Sequence, residues 1–529
     1  MEAKKLLTLA LTGLLAGGCL MVPTLAENAD GQNSGNPATY TIPARVKRIE
    51  DYAFAGDTTL ERVKIPDGVT EIGDYAFSGC TNLQEIELPE GLTKIGNHAF
   101  DGCAALVRLG DMNQLESIGE YAFSGCETLE SIGDMPNLTR LGNGAFAIAI
   151  VMENGEAVGM AACTSLTKIG NMPKLERIGE FTFGGCSALE QVGNLDSVTS
   201  IDDYAFSGCT ALRQIADLPN VKSIGNAAFS ERSVYDENTQ WLIATDSCTS
   251  LRRVGNMPKL ETIENNAFKG CTSLAGIGEI SNVISIGDSA FQDTILWGSW
   301  DLPYVTHIGN SAFENTLLES VGDLPCVTYI GERAFARCSH LKKIGDMPKL
   351  QTIDNKAFWR SALVSVGNIN NVTTIGKSAF DFCDTLESIG NLNKLKNVGA
   401  YAFADCRALK SVGNLSSLTE ISEGMFWGAY KLETLGNLSR VRSIGKRAFS
   451  DCSSLRSLKN LRSLRSIGES AFSNSAIAVL RVDNLTSSVS NLSSVTTIGS
   501  NAFSKSSIGE IGDLNNLTSL GDGAFAGCL

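Results

Sequence analysis

The sequence has little of what acid–base and metal-dependent catalysts need. Only three histidines occur, His98, His307 and His340, and they are far apart in the chain. There is no Cys-x-x-Cys pair of the kind that holds zinc, and no Gly-x-Ser-x-Gly elbow. Its Gly-x-x-Gly patterns lack the lysine and long helix of a phosphate-binding loop. We therefore expect no enzyme, no metal site, no catalytic residue and no cofactor.

Basic runs and long apolar runs are also scarce. The chain of 529 residues has 43 Lys plus Arg against 58 Asp plus Glu, a net charge of −15, and no basic run offsets it. Such a chain repels nucleic acid and anionic lipid. After the first 26 residues no stretch of 18 apolar residues remains, so we expect no later segment to span a membrane.

The first residues have the pattern of an export signal. Residues 1–26 combine two lysines, an apolar stretch and small residues near position 26, which predicts cleavage before Glu27. One alternative is lipidation at Cys19, because Ala16-Gly17-Gly18-Cys19 is similar to the lipobox of bacterial lipoproteins; an uncleaved anchor is another. Residues 27–40 are polar and predict a disordered lead-in.

One motif, written by Ile72-Gly73-Asp74-Tyr75-Ala76-Phe77-Ser78-Gly79-Cys80, recurs twenty times. Sixteen of the nineteen intervals between its phenylalanines are 22 or 23 residues, a period typical of leucine-rich-repeat solenoids. These marker phenylalanines are Phe54, Phe77, Phe100, Phe123, Phe146, Phe183, Phe206, Phe229, Phe268, Phe291, Phe313, Phe335, Phe358, Phe380, Phe403, Phe426, Phe449, Phe472, Phe503 and Phe525.

Each repeat predicts two short strands and one tight turn. Five residues before the marker stands an aliphatic residue, followed in fifteen copies by glycine, which predicts a corner with φ > 0. Asp, Asn or Ser follows in twelve copies and predicts the cap of a short helical or 3-10 turn over Ala-Phe. Leu-x-x-Ile segments on either side predict half-buried parallel strands.

The repeats predict one solenoid domain. A single turn cannot bury its apolar side, whereas stacked turns can. We expect a β-rich solenoid of about twenty repeats over residues 41–529. Three long intervals predict inserted loops near 147–162, 230–247 and 473–494.

The cysteines follow the repeat. Of fifteen, eleven lie three residues after a marker phenylalanine, and other turns place Ser, Thr or Ala there. Because a turn can have Ser, Thr or Ala in place of Cys without a matching change elsewhere, the position requires only a small side chain. We therefore expect a column of buried free thiols. Disulfides between turns are the alternative.

The repeat from Cys80 to Phe100, Cys-x-x-Leu-x-x-Ile-x-x-x-Pro-x-x-Leu-x-x-Ile-Gly-x-x-Ala-Phe, resembles the BspA-type leucine-rich repeat of bacterial cell-surface proteins. The resemblance covers about residues 41–529. It implies a surface or secreted interaction protein, whose relatives bind matrix proteins, host cells or other bacteria. Many turns here differ by reading Ile-Gly-Asp/Asn-Met/Leu-Pro. Partner choice does not carry over, because the matching positions are structural.

Binding must then use the residues that vary. Outward pairs such as Gln84 and Glu85 form one row beside the strands, and pairs such as Thr70 and Glu71 form another. The inserted loops carry Tyr235 and Trp241, and Trp297 and Trp300 form an aromatic cluster in a turn without its cysteine. We take these four aromatic residues as ligand-binding candidates. Solvated surface explains the rows equally well, and core filling in an irregular turn explains the Trp297/Trp300 cluster.

The sequence therefore predicts an exported, adhesin-like protein, secreted or held at the cell surface of a bacterium. It would bind an extracellular protein or glycan through its solenoid face and loops, without nucleic acid and without membrane insertion unless Cys19 is lipidated. A secreted enzyme with a site in an inserted loop, or a passive envelope scaffold, are the alternatives.

Overall fold

The computed structural model of the protein describes residues 39–109, 112–147, 149–153, 156–236, 241–481, 491–509 and 511–528. Within these ranges the chain forms 43 short strands and no helix, and residues from Thr39 onward form one compact unit. The predicted parallel solenoid is confirmed. Its first strand overlaps the predicted lead-in by two residues, while Cys19 and residues 1–26 lie outside the described residues.

Each turn but the last supplies a first strand and a second strand, the second lying before the marker phenylalanine; the last turn has only the second strand among the described residues. The first strands are β1 Thr39–Thr41, β3 Arg62–Lys64, β5 Glu85–Glu87, β7 Arg108–Leu109, β9 Ser131–Ile132, β13 Lys168–Ile169, β15 Gln191–Val192, β17 Gln214–Ile215, β21 Arg253–Val254, β23 Gly276–Ile277, β25 Trp297–Trp300, β27 Leu317–Val321, β29 Lys343–Ile344, β31 Ser365–Val366, β33 Ser388–Ile389, β35 Ser411–Val412, β37 Thr434–Leu435, β39 Ser457–Leu458 and β41 Val479–Leu480. The second strands are β2 Arg48–Ile49, β4 Glu71–Ile72, β6 Lys94–Ile95, β8 Ser117–Ile118, β10 Arg140–Leu141, β14 Arg177–Ile178, β16 Ser200–Ile201, β18 Ser223–Ile224, β22 Thr262–Ile263, β24 Ser285–Ile286, β26 His307–Ile308, β28 Tyr329–Ile330, β30 Thr352–Ile353, β32 Thr374–Ile375, β34 Asn397–Val398, β36 Glu420–Ile421, β38 Ser443–Ile444, β40 Ser466–Ile467, β42 Thr497–Ile498 and β43 Ser519–Leu520. Two insertions form hairpins, β11 Ala149–Glu153 with β12 Glu156–Ala161, and β19 Arg232–Asp236 with β20 Trp241–Thr245.

Parallel pairing joins equivalent strands of consecutive turns. Second strands form sheets of five, ten and five strands, β2 to β10, β14 to β34 and β36 to β43. First strands form more and mostly smaller sheets, the largest being the seven-stranded one from β25 to β37. Register is kept exactly one repeat apart, as where Lys94 pairs with Glu71 and Ile95 with Ile72, so each inward aliphatic packs on its copy.

The marker phenylalanines form one continuous interior column. Each of the twenty rings stacks on the next, with ring centroids 4.9 to 5.7 Å apart. All are fully buried except Phe54 and Phe525, the two end members. A phenylalanine therefore excludes water completely only when it has a neighbour on both sides.

The predicted helical or 3-10 turn is wrong. All twenty residues two positions before the marker have φ between 48° and 62°, and seventeen of them are not glycine. Backbone N–H groups in this segment alternate between acceptors in the same turn and acceptors in the next turn. The N–H of Ser78 donates to Tyr75 O of its own turn (3.1 Å), whereas the N–H of Phe77 donates to Ala99 O of the next turn (2.8 Å). A helix needs right-handed residues and internal bonds throughout, so the segment instead forms linked turns that add a further ladder between repeats.

The corner glycine and the Asp or Asn that follows it also have roles other than the predicted ones. The glycines four residues before the markers are not among the left-handed residues. They are needed for space, because a Cβ on Gly119 would lie 2.5 Å from the backbone nitrogen of Asn97 in the preceding turn. The following Asp or Asn caps no helix; Asp74 Oδ1 accepts from the N–H of Asn97 one turn later (2.8 Å). Both residues therefore serve contact between turns.

The thiol column is confirmed as free and buried. Fourteen cysteines are described without a disulfide, and twelve of them are buried. Each thiol in the column donates to the backbone carbonyl of the marker phenylalanine in the preceding turn, as from Cys383 to Phe358 O (3.1 Å). Burial raises the pKa of Cys338 to about 11 and that of Cys383 to about 12. At these two positions the raised pKa favours the protonated thiol near neutral pH, and buried protonated thiols react slowly.

The first prediction concerns the phenylalanine column. Phe335 stacks on Phe313 at 5.1 Å and on Phe358 at 5.5 Å, so Phe335→Ala leaves a cavity between two rings. We expect a loss of about 3–5 kcal/mol in the free energy of unfolding, measured by urea denaturation. Phe525→Ala, at the half-buried end of the column, should cost less than half as much. Equal costs at the two positions would contradict the column's role.

The second prediction separates close contact from backbone freedom. Gly119→Ala forces a methyl group against the preceding turn and should cost at least about 1–3 kcal/mol, read from the shift in urea midpoint. Gly133 is the matched control, because nothing lies within 4 Å of its added Cβ. Gly133→Ala should change stability by no more than about 1 kcal/mol. A similar loss in both variants would disprove the explanation by crowding.

The third prediction uses thiol chemistry. With an aromatic disulfide reagent at pH 8, the partly exposed Cys326 should react in the native protein, whereas the twelve buried cysteines should wait for unfolding. All should titrate in denaturant without reductant. Cys326→Ser is the control and should remove its share of the fast phase, while the partly exposed Cys528 keeps reacting. Rapid labelling of column cysteines, or missing thiols after denaturation, would overturn the assignment of a free buried column.

Candidate interaction surfaces

The two outward rows beside the strands differ in exposure. Gln84 and Glu85 of the first row are exposed, whereas Thr373 and Thr374 of the second row are half-buried. Several second-row hydroxyls are already used, as where Thr373 donates to Gln351 O of the preceding turn (3.2 Å). The first row is thus the more accessible, and its ion pairs between turns are solvated and weak.

Two of the three predicted loops are hairpins, and the second is added where both strands keep their pairing from turn to turn. Across the second one, β18 still pairs with β22, and Phe229 stacks on Phe268 at 4.9 Å. The base is closed, since Cys248 N–H donates to Phe229 O (2.9 Å). Tyr235 and Trp241 lie on its two strands, where Tyr235 pairs in register with Leu242 and Trp241 with Asp236. The third insertion lies partly outside the described residues.

Trp297 and Trp300 line one groove but differ in what their rings contact. A bulge between Gly298 and Ser299 separates them within β25. Trp300 packs edge-on against Phe291 and Phe313, with centroids 5.4 and 5.6 Å away, and is half-buried against the core. Trp297 is 63% exposed. Trp300 therefore packs partly against the core, while Trp297 is available for contact.

Trp297 borders a break in the first-strand sheet. No strand pairing joins β23 to β25 in the part of the chain that the structure describes. A single bond crosses there, from Trp297 N–H to Ala275 O at 3.4 Å. The break leaves a groove of about 470 Å³ whose lining includes Ile277 and Ile280 together with Trp297.

The three histidines do not come together, and two of them belong to stacks of rings. His98 lies between Tyr75 (4.6 Å) and Tyr121 (5.2 Å), and its Nδ1 is 2.9 Å from Asp101. His307 stacks on Tyr329 at 4.8 Å. Over the described ranges no three His, Cys, Asp or Glu side chains are placed to hold a metal ion. The same ranges contain no helix long and apolar enough to cross a bilayer.

Sequence reasoning missed a basic cluster around Trp359, which we define as Arg333, Arg337, Lys356 and Arg360. Their charged groups lie 5.4, 5.2, 5.8 and 4.6 Å from the centre of the Trp359 ring, in that order. The ring stabilises cations by its negative face. Nothing comparable surrounds another ring in the described part of the chain.

The cluster was missed because it is not a run in the sequence. Arg333 and Lys356 stand two residues before their markers, and Arg337 and Arg360 stand two residues after them. Parallel stacking of the turns places residues 23 apart side by side. Aligning the repeats and comparing charge at each repeat position would have revealed the cluster.

Comparison with known proteins adds a family match. The model of the BspA type leucine rich repeat region (6 copies) matches residues 32–151, 160–240, 261–387, 306–433, 373–491 and 481–529. Together these matches cover nearly all of the repeats that the phenylalanines mark. No curated protein sequence matches the chain.

Among the solved structures, 116 chains match. A leucine-rich repeat protein from Bacteroides ovatus is 23% identical, covering 81% of this chain and 88% of that one, with a TM-score of 0.42. A leucine rich cell surface protein from Faecalibacterium prausnitzii is 23% identical, covering 76% and 88%, with a TM-score of 0.29. The leucine rich repeat protein of T. pallidum is 29% identical, covering 33% and 77%, with a TM-score of 0.28.

Proposed function

Because the chain belongs to the family built from the BspA type leucine rich repeat region, we propose that it is an exported interaction protein of the bacterial surface. It would act in an adhesin-like way, binding an extracellular protein or glycan without chemical conversion. The family and fold are those of repeat proteins, which generally bind other molecules through surfaces that stacked repeats keep rigid.

The observation that carries this proposal is the way the hairpins are inserted. Ring stacking continues across both insertions, so neither hairpin is needed to complete the column. Both strands pair across the second insertion, whereas only the first strands, β9 and β13, pair across the first. A segment that the scaffold does not need, held at a closed base on a rigid coil, is a common place for specificity. Tyr235 and Trp241 of the second hairpin are its contact candidates, and the exposed Trp297 is a separate one.

Export remains part of the proposal. Residues 1–26 support it through their signal-like pattern, and Cys19 offers a lipid attachment that would hold the protein at the envelope. The described residues add an apolar groove beside Trp297, which suits contact with a protein or with the flat faces of sugars. We infer no enzyme, because the family and fold are those of repeat proteins that are generally not enzymes.

The fourth prediction tests this function by removing the second hairpin from the chain starting at Glu27. Residues 232–245 are replaced by two glycines, a link that can close because Glu231 N–H donates to Ser247 Oγ (3.0 Å). Binding is measured by biolayer interferometry against purified matrix proteins and bacterial surface polysaccharides. We expect at least a tenfold loss of affinity for one ligand, with the melting temperature unchanged.

The matched control removes the first hairpin, residues 149–161, in the same way, because it also interrupts no column. Trp297→Ser is a third variant and tests the groove. A passive scaffold predicts that no probe binds, or that every variant binds as the parent does. Either result would contradict the proposal, whereas selective loss in one variant would support it.

A further inference from the structure

We propose that the basic cluster is a binding site for an acidic polysaccharide, one whose sugars carry carboxylate or sulfate groups. The inference deepens the proposed function, on which it rests, by naming one class of partner and the residues that hold it.

Charge is the first observation. Residues 333–377 contain eight Lys and Arg and only two acids, between the flanking Glu332 and Asp381, although the whole chain has a net charge of −15. Within the described residues Arg333 alone of the cluster forms an ion pair, with the buried Glu314. Three cations are thus held together without a carboxylate within 4.0 Å. An anion would relieve their mutual repulsion.

Geometry is the second observation. The guanidinium of Arg360 lies 4.6 Å from the centre of the Trp359 ring and 5.2 Å from that of Phe382. Stacking against rings restricts the plane of a guanidinium while its edge keeps several N–H donors. Those donors match the paired oxygens of a carboxylate or sulfate, the group that arginine binds in a bidentate manner.

A groove begins beside this guanidinium. It has a volume of about 410 Å³ and is lined by Ser339, Arg360, Ser361, Ala362, Phe382, Asp384 and Thr385. Hydroxyl groups and one ring suit a sugar, which presents hydroxyls at its edges and C–H groups on its faces. The carboxylate of Asp384 can accept from sugar hydroxyls, and it opposes a ligand that bears charge at every position.

Repetition along the coil favours a polymer over a single ion. Arg333 and Arg337 belong to one turn and Lys356 and Arg360 to the next, about 4.8 Å further along. A linear chain lying along the coil would meet both pairs in succession. Nucleic acid bears a phosphate at every residue and would be opposed by the acidic remainder of the chain, so a glycan with spaced charges fits the local cluster better.

The fifth prediction is a binding experiment with the full chain starting at Glu27. Heparin and polygalacturonate are the probes, and neutral dextran, polyglutamate and an RNA oligonucleotide are the comparisons. We expect the two acidic polysaccharides to bind at 50 mM NaCl and to lose at least fivefold in affinity at 300 mM, because salt screens charge. Dextran should not bind, and polyglutamate and RNA should bind at least tenfold more weakly.

A charge-matched pair of variants localises the site. Arg337→Gln with Arg360→Gln should lower the affinity for heparin at least tenfold. Arg252→Gln with Arg253→Gln removes the same charge from exposed first-row positions and should change it less than twofold. All four side chains are exposed, and unchanged melting temperatures verify the fold of both variants. Equal losses in the two variants would overturn the proposal.

A spectroscopic readout reports on Trp359 itself. Heparin should change the tryptophan fluorescence of the parent, and Trp359→Phe should abolish that change. No binding of either polysaccharide, or equal binding of polyglutamate or RNA, would overturn the proposal. The hairpin deletion should bind heparin normally, so failure here and failure of the hairpin experiment are separate outcomes.

Discussion

Contact between each turn and its two neighbours is the constraint on which the whole structure depends. Rings stack at 4.9 to 5.7 Å, and each thiol of the column donates to a carbonyl of the preceding turn. The backbone of the marker segment donates forward to the next turn. The half-buried end rings, Phe54 and Phe525, show the consequence, because a turn with one neighbour leaves part of its apolar surface in water.

This constraint divides the sequence into two classes of position. The interior positions are the marker phenylalanine, the alanine before it, the aliphatics and the small residue of the thiol column. The corner position requires glycine because the backbone of the preceding turn lies close to it. Left-handed positions two residues before the marker tolerate Tyr75, Ser289 or Arg333, since their side chains lie outside the column. Substitution at these positions changes the stability of the stacked core little. A charged cluster can therefore arise on one stretch of an otherwise regular coil.

Much of the fold could be predicted from the sequence, because period and residue type report directly on stacking. Parallel strands, the single ring column and the free thiols follow from the spacing of phenylalanine and cysteine. The helical turn could not be rejected in this way, since Ala-Phe is compatible with helix and the left-handed residues are mostly not glycine. The corner glycines, Gly119 among them, were predicted to adopt φ > 0. Glycine is needed there instead because the backbone of another turn lies too close to leave room for a Cβ. On the surface, Trp297 and Trp300 differ in exposure because a bulge lies between them, and composition does not reveal a bulge. The basic cluster becomes visible only when the repeats are aligned.

Amide hydrogen exchange along the intact chain tests the central claim most directly. If turns are stabilised by their neighbours, protection at the marker phenylalanines should rise from both ends to a maximum in the middle turns, with Phe313 exchanging more slowly than Phe77 or Phe503. Uniform protection along the coil, or two maxima separated by a weak central turn, would contradict the account.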